Sequence, residues 1–297
     1  FTTALDNEKW DVILADYNLP EFNGAEGLKL LQESGQDIPF IVISGGIGED
    51  LAVQIMKSGA HDYLMKGNLA RLVPAVEREV REARDRTRHR EAETALHAAN
   101  EQMRIAREIQ QRLFPKDAPD LKGYDLAGLT ESAEETGGDY YDFIPMSGGD
   151  YGLVVGDVTG HGIGPALLMA ETRAYLRILA ADFDDVSEIL TRANRVLNED
   201  TGSERFVTLL FVRFNPSARS LTYASAGHPP ALWLGRDGKL KKELKRTGIA
   251  LGVRADTQYK VSEDLPLDSG DLLALMTDGV EESTAEDGEL FGKERMI

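Results

Sequence analysis

Apolar residues in the first 66 positions fall in short unbroken runs separated by amphipathic stretches. DVILAD at 11–16, PFIVIS at 39–44 and DYLMK at 62–66 are each of strand length, and the segments between them carry helical periodicity. Buried strands alternating with amphipathic helices predict βαβ units around a parallel sheet. From about Leu69 to Phe114 the pattern changes. One proline near the start, Pro74, no glycine, and dense Arg, Glu and Ala predict a single long helix. Its first half, Glu77 to Glu93, holds six arginines against six acids, many at i,i+3 and i,i+4 spacing, as in a solvated, self-supporting helix. Its second half has a seam of Ala92, Leu96, Ala99, Met103, Ala106, Gln110 and Leu113, spaced alternately by four and three, which is the period of a coiled coil. Such a seam suits a parallel homodimer through 92–113 or packing on the chain's own domain. Pro115 is predicted to end the helix.

Beyond Pro115 five short segments carry most of the chemistry: GGDYYDF at 137–143, GDVTGHGIGPALL at 156–168, FVTLLFVRF at 206–214, YASAGHPPALW at 223–233 and LMTDGVEES at 275–283. In three of them an aspartate, Asp139, Asp157 or Asp278, stands where an apolar or small-residue run meets a glycine. Each carboxylate is thereby expected at a strand end with little clutter around it. Asp-Gly also marks ordinary turns, so one such segment alone says little. Asp139 and Asp157 are 18 positions apart, room for a strand, a turn and a return strand that would bring both carboxylates to one end of a sheet. Converging carboxylates bind hard divalent cations.

These segments together resemble the PPM family of type 2C serine/threonine phosphatases, and AREIQQRLFP at 106–115 resembles the helix that leads into the catalytic domain of its SpoIIE-like bacterial branch. The resemblance implies an α+β domain over 115–297, an antiparallel β-sandwich flanked by helices, with two Mn²⁺ or Mg²⁺ ions at one end. It gives catalytic and metal-binding roles to Asp139, Asp157 and Asp278, with Asp157 bridging the ions and the Val158 carbonyl completing one shell. Gly138, Gly156, Gly160, Gly162 and Gly279 would shape the loops. A water shared between the ions would attack phosphorus in line, without a covalent phosphoenzyme. The family continues with a further strand and a last metal-binding aspartate, whereas the sequence stops at Ile297, 19 residues beyond Asp278 and inside what reads as the helix start FGKERM. The domain is therefore expected to be incomplete at its C-terminus and weakened at one metal site, with Glu281, Glu282 and Asp287 solvated.

At the front, Asp16, Ser44 and Lys66 each close a predicted strand, so an acid, a hydroxyl and an ammonium would converge at one sheet edge. This order resembles the receiver domain of bacterial response regulators. The resemblance implies phosphorylation of Asp16 by a histidine kinase or phosphotransfer protein, assisted by Mg²⁺ in a complete receiver. Ser44 and Lys66 would bond the phosphoryl oxygens, Tyr63 would switch rotamer, and Pro20 and Gly24 would shape the loop. Gly67 stands where the family usually has proline. The expected organisation is a receiver over 1–68 lacking its first strand, first helix and second strand, a helical linker over 69–114, and the phosphatase domain. The strand at 11–16 would then be an unpaired edge. The chain is expected to be a piece of a longer protein, its receiver unable to accept phosphate without the Mg²⁺ ligands.

Composition removes several alternatives. The chain has 297 residues and no cysteine, which excludes a thiolate phosphatase and any disulfide. A formal net charge of −18 argues against a nucleic-acid partner. No apolar run reaches 18 residues and no signal peptide is recognisable, so neither a membrane span nor export is expected, and the location is read as cytoplasmic. The glycine-rich loop at 156–164 lacks the Lys-Ser/Thr pair of a P-loop. The GGD triplet lacks the acidic pair of a diguanylate cyclase. His161 and His228 read as structural or substrate-edge residues. The sum predicts a response regulator whose output dephosphorylates a phosphoserine or phosphothreonine protein, typically an anti-sigma-factor antagonist of the STAS type. The alternative is an adaptor that uses the same fold to bind a partner without hydrolysis.

Overall fold

The computed structural model describes residues 1–18, 22–46, 49–130, 136–201, 205–285, 288–292 and 295. Expectations for Pro20, Asp287 and much of the FGKERM segment lie outside these residues. Contacts divide the chain into two compact units, Phe1–Asn100 and Glu101–Ile297.

In the first unit three parallel strands, β1 (Ile13–Asp16), β2 (Phe40–Ser44) and β3 (Asp62–Met65), lie in the order β1-β2-β3. Helices α1 (Thr2–Asn7), α2 (Gly24–Ser34) and α3 (Glu49–Lys57) are interleaved with them. Helix α2 starts on a capping box, with the Asn23 side chain accepting from the Glu26 backbone and the Glu26 carboxylate accepting from the Asn23 N–H. Apolar residues cover both sheet faces. Leu5, Leu28, Leu31, Phe40, Val42 and Ile55 form one cluster, and Ile41, Leu64 and Ala75 another. Covering on both faces explains why β2 reads as an uninterrupted apolar run. Strand β1 is the edge of the described sheet, and Leu14 on it is 47 % exposed.

Helix α4 runs from Leu72 to Gln111. It starts three residues later than the composition suggests, because Lys66–Arg71 form a 3₁₀ segment with a non-helical residue, Asn68. Pro74 falls in its first turn, where no N–H partner is needed. The helix ends at Gln111, four residues before Pro115, whose ring restrains the residue before it.

The second unit is a two-sheet sandwich with helices on one face. Strands β4 (Tyr140–Pro145), β5 (Tyr151–Val158), β6 (Val207–Asn215), β7 (Ser220–Ala226) and β10 (Leu265–Pro266) form an antiparallel sheet in the order β10-β7-β6-β5-β4. A second sheet has the order β11-β8-β9, from β8 (Ala231–Leu234), β9 (Leu240–Leu244) and β11 (Leu272–Ala274). Helices α5 (Ile163–Asp182) and α6 (Val186–Thr201) pack on the larger sheet. Strand β6 is apolar on both faces for a visible reason. Leu209 and Phe211 join Leu176, Ile189 and Leu197 in the helix-side core, while Leu210 and Val212 join Trp233 and Leu244 between the sheets.

Candidate active site

The β4–β5 hairpin puts Tyr140 opposite Gly156, so Asp139 and Asp157 stand side by side at one end of the larger sheet. Asp278 reaches the same place differently from expectation. It opens a short helix, α7 (Asp278–Glu282), four residues past the end of β11, instead of ending a strand. Thr277 before it is extended, and a carboxylate in the first helical turn suits the exposed N–H groups there.

Glycine at 138 is what allows the close approach. A methyl group there would lie 2.3 Å from the Val158 carbonyl oxygen and 3.0 Å from Asp157 Oδ1. The same construction at Gly279 would fall 3.9 Å from Asp139 Oδ2. The five glycines expected to shape the loops all lie at this end: Gly156 rests against the Thr208 carbonyl, and Gly160 and Gly162 have positive φ in the loop before α5. His161, between them, is exposed.

Electrostatics at this end are dominated by like charge. Asp157 is pushed up to about 7, first by burial and then by the negative charges of Asp139 and Asp278, with a smaller push from Glu282. Asp139 is raised as well, chiefly by burial, against a hydrogen bond from Thr277 and with repulsion from Asp278. Among the described residues no three His, Cys, Asp or Glu side chains are arranged to hold one ion by themselves. The donors fit Mg²⁺ or Mn²⁺ nonetheless, since these ions are commonly held by one or two carboxylates with water in the remaining positions. The Val158 carbonyl and Asp157 Oδ1 converging beside Gly138 are oxygens of that kind.

Two supports around the site had only weak signals in the sequence. Gln110, 6 % exposed in the last turn of α4, clamps the Gly137 peptide: its Nε2 donates to the carbonyl at 2.6 Å and its Oε1 accepts from the N–H at 3.2 Å. A polar residue inside an otherwise apolar seam was the one hint. Leu113 and Phe114 just beyond pack on the helix-side core, whereas Ala92, Leu96 and Ala99 of the same seam are exposed. On β4 itself, Asp142 is fully buried and held by both forks of Arg177 at 2.6 Å, by the Tyr140 hydroxyl and near Arg173. His228 is 0 % exposed, with ring nitrogens on Thr208 Oγ1 at 2.9 Å and the Met276 carbonyl at 3.0 Å, and burial pushes it down to about 4. It is thus part of the interior, not the substrate edge.

In the first unit Asp16 and Lys66 meet at the ends of β1 and β3, with Ser44 closing β2 between those strands. Lys66, one residue past β3, donates to Asp16 Oδ2 at 2.6 Å, and this bond, followed by the Asn18 N–H, holds Asp16 below the usual carboxylate range. Ser44 is fully buried, and neither its hydroxyl nor that of Tyr63 finds a hydrogen-bond partner among the described residues. Gly24 opens α2, and a methyl group there would lie 3.5 Å from the Asp16 carbonyl oxygen and from the Tyr17 Cα.

Comparison with known proteins agrees with both halves. Residues 147–297 match the family described as Stage II sporulation protein E (SpoIIE), and residues 1–77 match the response regulator receiver domain. The phosphoserine phosphatase RsbU of Bacillus subtilis is 30% identical over 187 residues, 63% of this chain and 55% of that protein. Protein IcfG of Synechocystis sp. is 30% identical over 219 residues, 64% of this chain and 34% of that protein. The chain thus spans about half or less of the length of these relatives. Among solved structures, the SiaA-PP2C domain of Pseudomonas aeruginosa superposes with a TM-score of 0.56 at 24% identity, covering 68% of this chain and 81% of that one. That likeness establishes the fold of the sandwich. With a receiver region ahead of a long helix and a PP2C-type sandwich behind it, the chain belongs to the SpoIIE family.

Proposed function

We propose that this chain is the receiver-controlled phosphatase part of a response regulator, hydrolysing phosphoserine or phosphothreonine on a protein with the help of two Mn²⁺ or Mg²⁺ ions. The observation that carries this reading is the cluster of Asp139, Asp157 and Asp278, in which the charges that raise Asp157 are those of other carboxylates. Asp139, Asp157, Asp278 and the Val158 carbonyl would hold the ions. When bound, such ions supply positive charge to phosphoryl oxygens and a water made acidic enough to attack near neutral pH. The protein's own contribution is positional. The Thr277 hydroxyl orients Asp139, and the Gln110 clamp fixes the peptide that precedes Gly138.

The likeness to a phosphoserine phosphatase supports a phosphoprotein substrate, of which a STAS-type antagonist is the class we favour. Control would come from phosphorylation of Asp16 by a histidine kinase or phosphotransfer protein, in a complete receiver with Mg²⁺, acting through Ser44, Tyr63 and Lys66. We assign the receiver to 1–68, the linker to 69–114 and the phosphatase to 115–297, with a homodimer through 92–113 and a cytoplasmic location. No helix among the described residues is long and apolar enough to cross a membrane. The test is hydrolysis of p-nitrophenyl phosphate and of a phosphoserine protein with Mn²⁺, with and without chelator. Turnover that the chelator abolishes is expected. A folded chain without turnover, at saturating Mn²⁺ and with an extended C-terminus, would favour the adaptor instead.

A further inference from the structure

We propose that His228 is a positioning residue for the carboxylate cluster, a neutral imidazole whose single proton, on Nε2, holds the Met276–Asp278 segment in place. The proposal rests on the metal-phosphatase reading and concerns how that site keeps its shape.

Local sequence explains how the ring arrives there. Strand β7 ends at Ala226, and Gly227 turns with φ 71, so close to the neighbouring loop that a methyl group would lie 2.8 Å from the Ala250 nitrogen. That turn sends His228 inwards. Its backbone is fixed too: the Gly227 N–H donates to the Gly248 carbonyl at 2.9 Å, and Arg246 Nε donates to the His228 carbonyl at 3.2 Å.

The tautomer follows from the partners. A carbonyl oxygen can only accept, so Nε2, 3.0 Å from the Met276 oxygen, carries the proton. A neutral ring has no second proton, so Nδ1 accepts from the Thr208 hydroxyl 2.9 Å away. Both nitrogens are therefore engaged by protein, and neither is available to a metal. Thr208 pairs with Asp157 across β5 and β6. Met276 precedes Thr277, which bonds Asp139, and Asp278 follows. One ring thereby bonds the cross-strand partner of Asp157 and the residue two before Asp278. Partners bonded directly to ligands typically change metal affinity by about 10–100-fold when removed, and a ring acting through their neighbours is expected at the low end of that range.

The experiment separates the two ends of the ring in the full chain. His228→Gln can place an amide N–H near the Nε2 position and retain the bond to Met276. His228→Asn reaches only the Nδ1 position and retains the bond to Thr208. Both variants lose one buried hydrogen bond, so a purely structural histidine would lower stability and Mn²⁺ affinity alike in each. Titration with Mn²⁺, read by the loss of the free-ion paramagnetic resonance signal, is expected to weaken about tenfold or more for His228→Asn and by less than about threefold for His228→Gln. Equal weakening in both, or none in His228→Asn, overturns the proposal. Independently of metal and of variants, long-range ¹H–¹⁵N spectra of the wild-type chain should give the Nε2–H tautomer at neutral pH. A proton on Nδ1, or on both nitrogens, overturns it equally. Failure of the wild-type chain to bind Mn²⁺ at all would instead strike the phosphatase reading, and the spectrum would still decide the state of the ring.

Discussion

Aspartates in the two units live under opposite electrostatics. Asp16, at the edge of the parallel sheet, has a resident cation: Lys66 lies 2.6 Å away and holds it below the usual carboxylate range. Asp157, at the end of the antiparallel sheet, is pushed up to about 7, first by burial and then by the charges of Asp139 and Asp278 with a smaller push from Glu282. The contrast is not one of burial alone. Asp142, three residues from Asp139 on the same hairpin, is more buried than either, yet it has Arg177 on both oxygens. The fold can supply a guanidinium to a buried carboxylate when a structural pair is required. At the Asp139–Asp157–Asp278 end the charges that raise Asp157 are those of other carboxylates.

Removing charges at each place should therefore have different consequences. Asp157→Ala is expected to lower Mn²⁺-dependent hydrolysis about a thousandfold, the several kcal/mol that metal-stabilised charge is worth, with a circular dichroism spectrum like wild type. Turnover within tenfold of wild type would break the comparison. Arg177→Ala should act oppositely, on the fold before the chemistry. It strips the main partner from a buried carboxylate and should destabilise the second unit by about 3 kcal/mol in urea titrations. A stability change near zero would mean that Arg173, 3.7 Å from Asp142, takes over completely.

A smaller effect is expected from pH in the presence of chelator. Because Asp157 is raised from the ordinary 3.8 to about 7 in the folded chain, the folded state holds a proton that the unfolded state releases. The stability this contributes is fully present below about pH 4 and is lost as pH rises towards about 7. Saturating Mn²⁺, which displaces the proton, should remove that decline. A flat profile in chelator would show that the carboxylates do not repel one another. The smallest change is expected from Asp16→Asn. The Asp16–Lys66 pair is only partly buried, so the melting temperature should change little. A marked drop would mean that the receiver edge depends on this pair structurally.

Much of this arrangement was legible in the chain, for reasons that lie close to the backbone. Strand-length apolar runs alternating with amphipathic segments lead to a parallel sheet because βαβ crossovers bury both of its faces, as the clusters around Phe40 and Ile41 do. The spacing from Asp139 to Asp157 reads as a hairpin, and the register of Tyr140 on Gly156 is that hairpin. The seam of α4 was only half informative. Its periodicity describes a helix face but not what lies against it: Leu96 is exposed, while Gln110 and Leu113, on the same stripe, turn to the sandwich. Long-range polar contacts were the least legible. Arg177 meets Asp142 across 35 positions and His228 meets Met276 across 48, and no local pattern encodes such partners. Asp278 shows the limit at short range, since an Asp-Gly step after an apolar run serves a strand end and a helix start equally well.

Calorimetric titration of the full chain with Mn²⁺ at pH 6, in two buffers of different ionisation enthalpy, tests the central claim most directly. The account predicts saturable binding with release of protons to the buffer, lost in Asp157→Ala and unaffected by Asp16→Asn. Binding without proton release, or binding that survives Asp157→Ala undiminished, would contradict it.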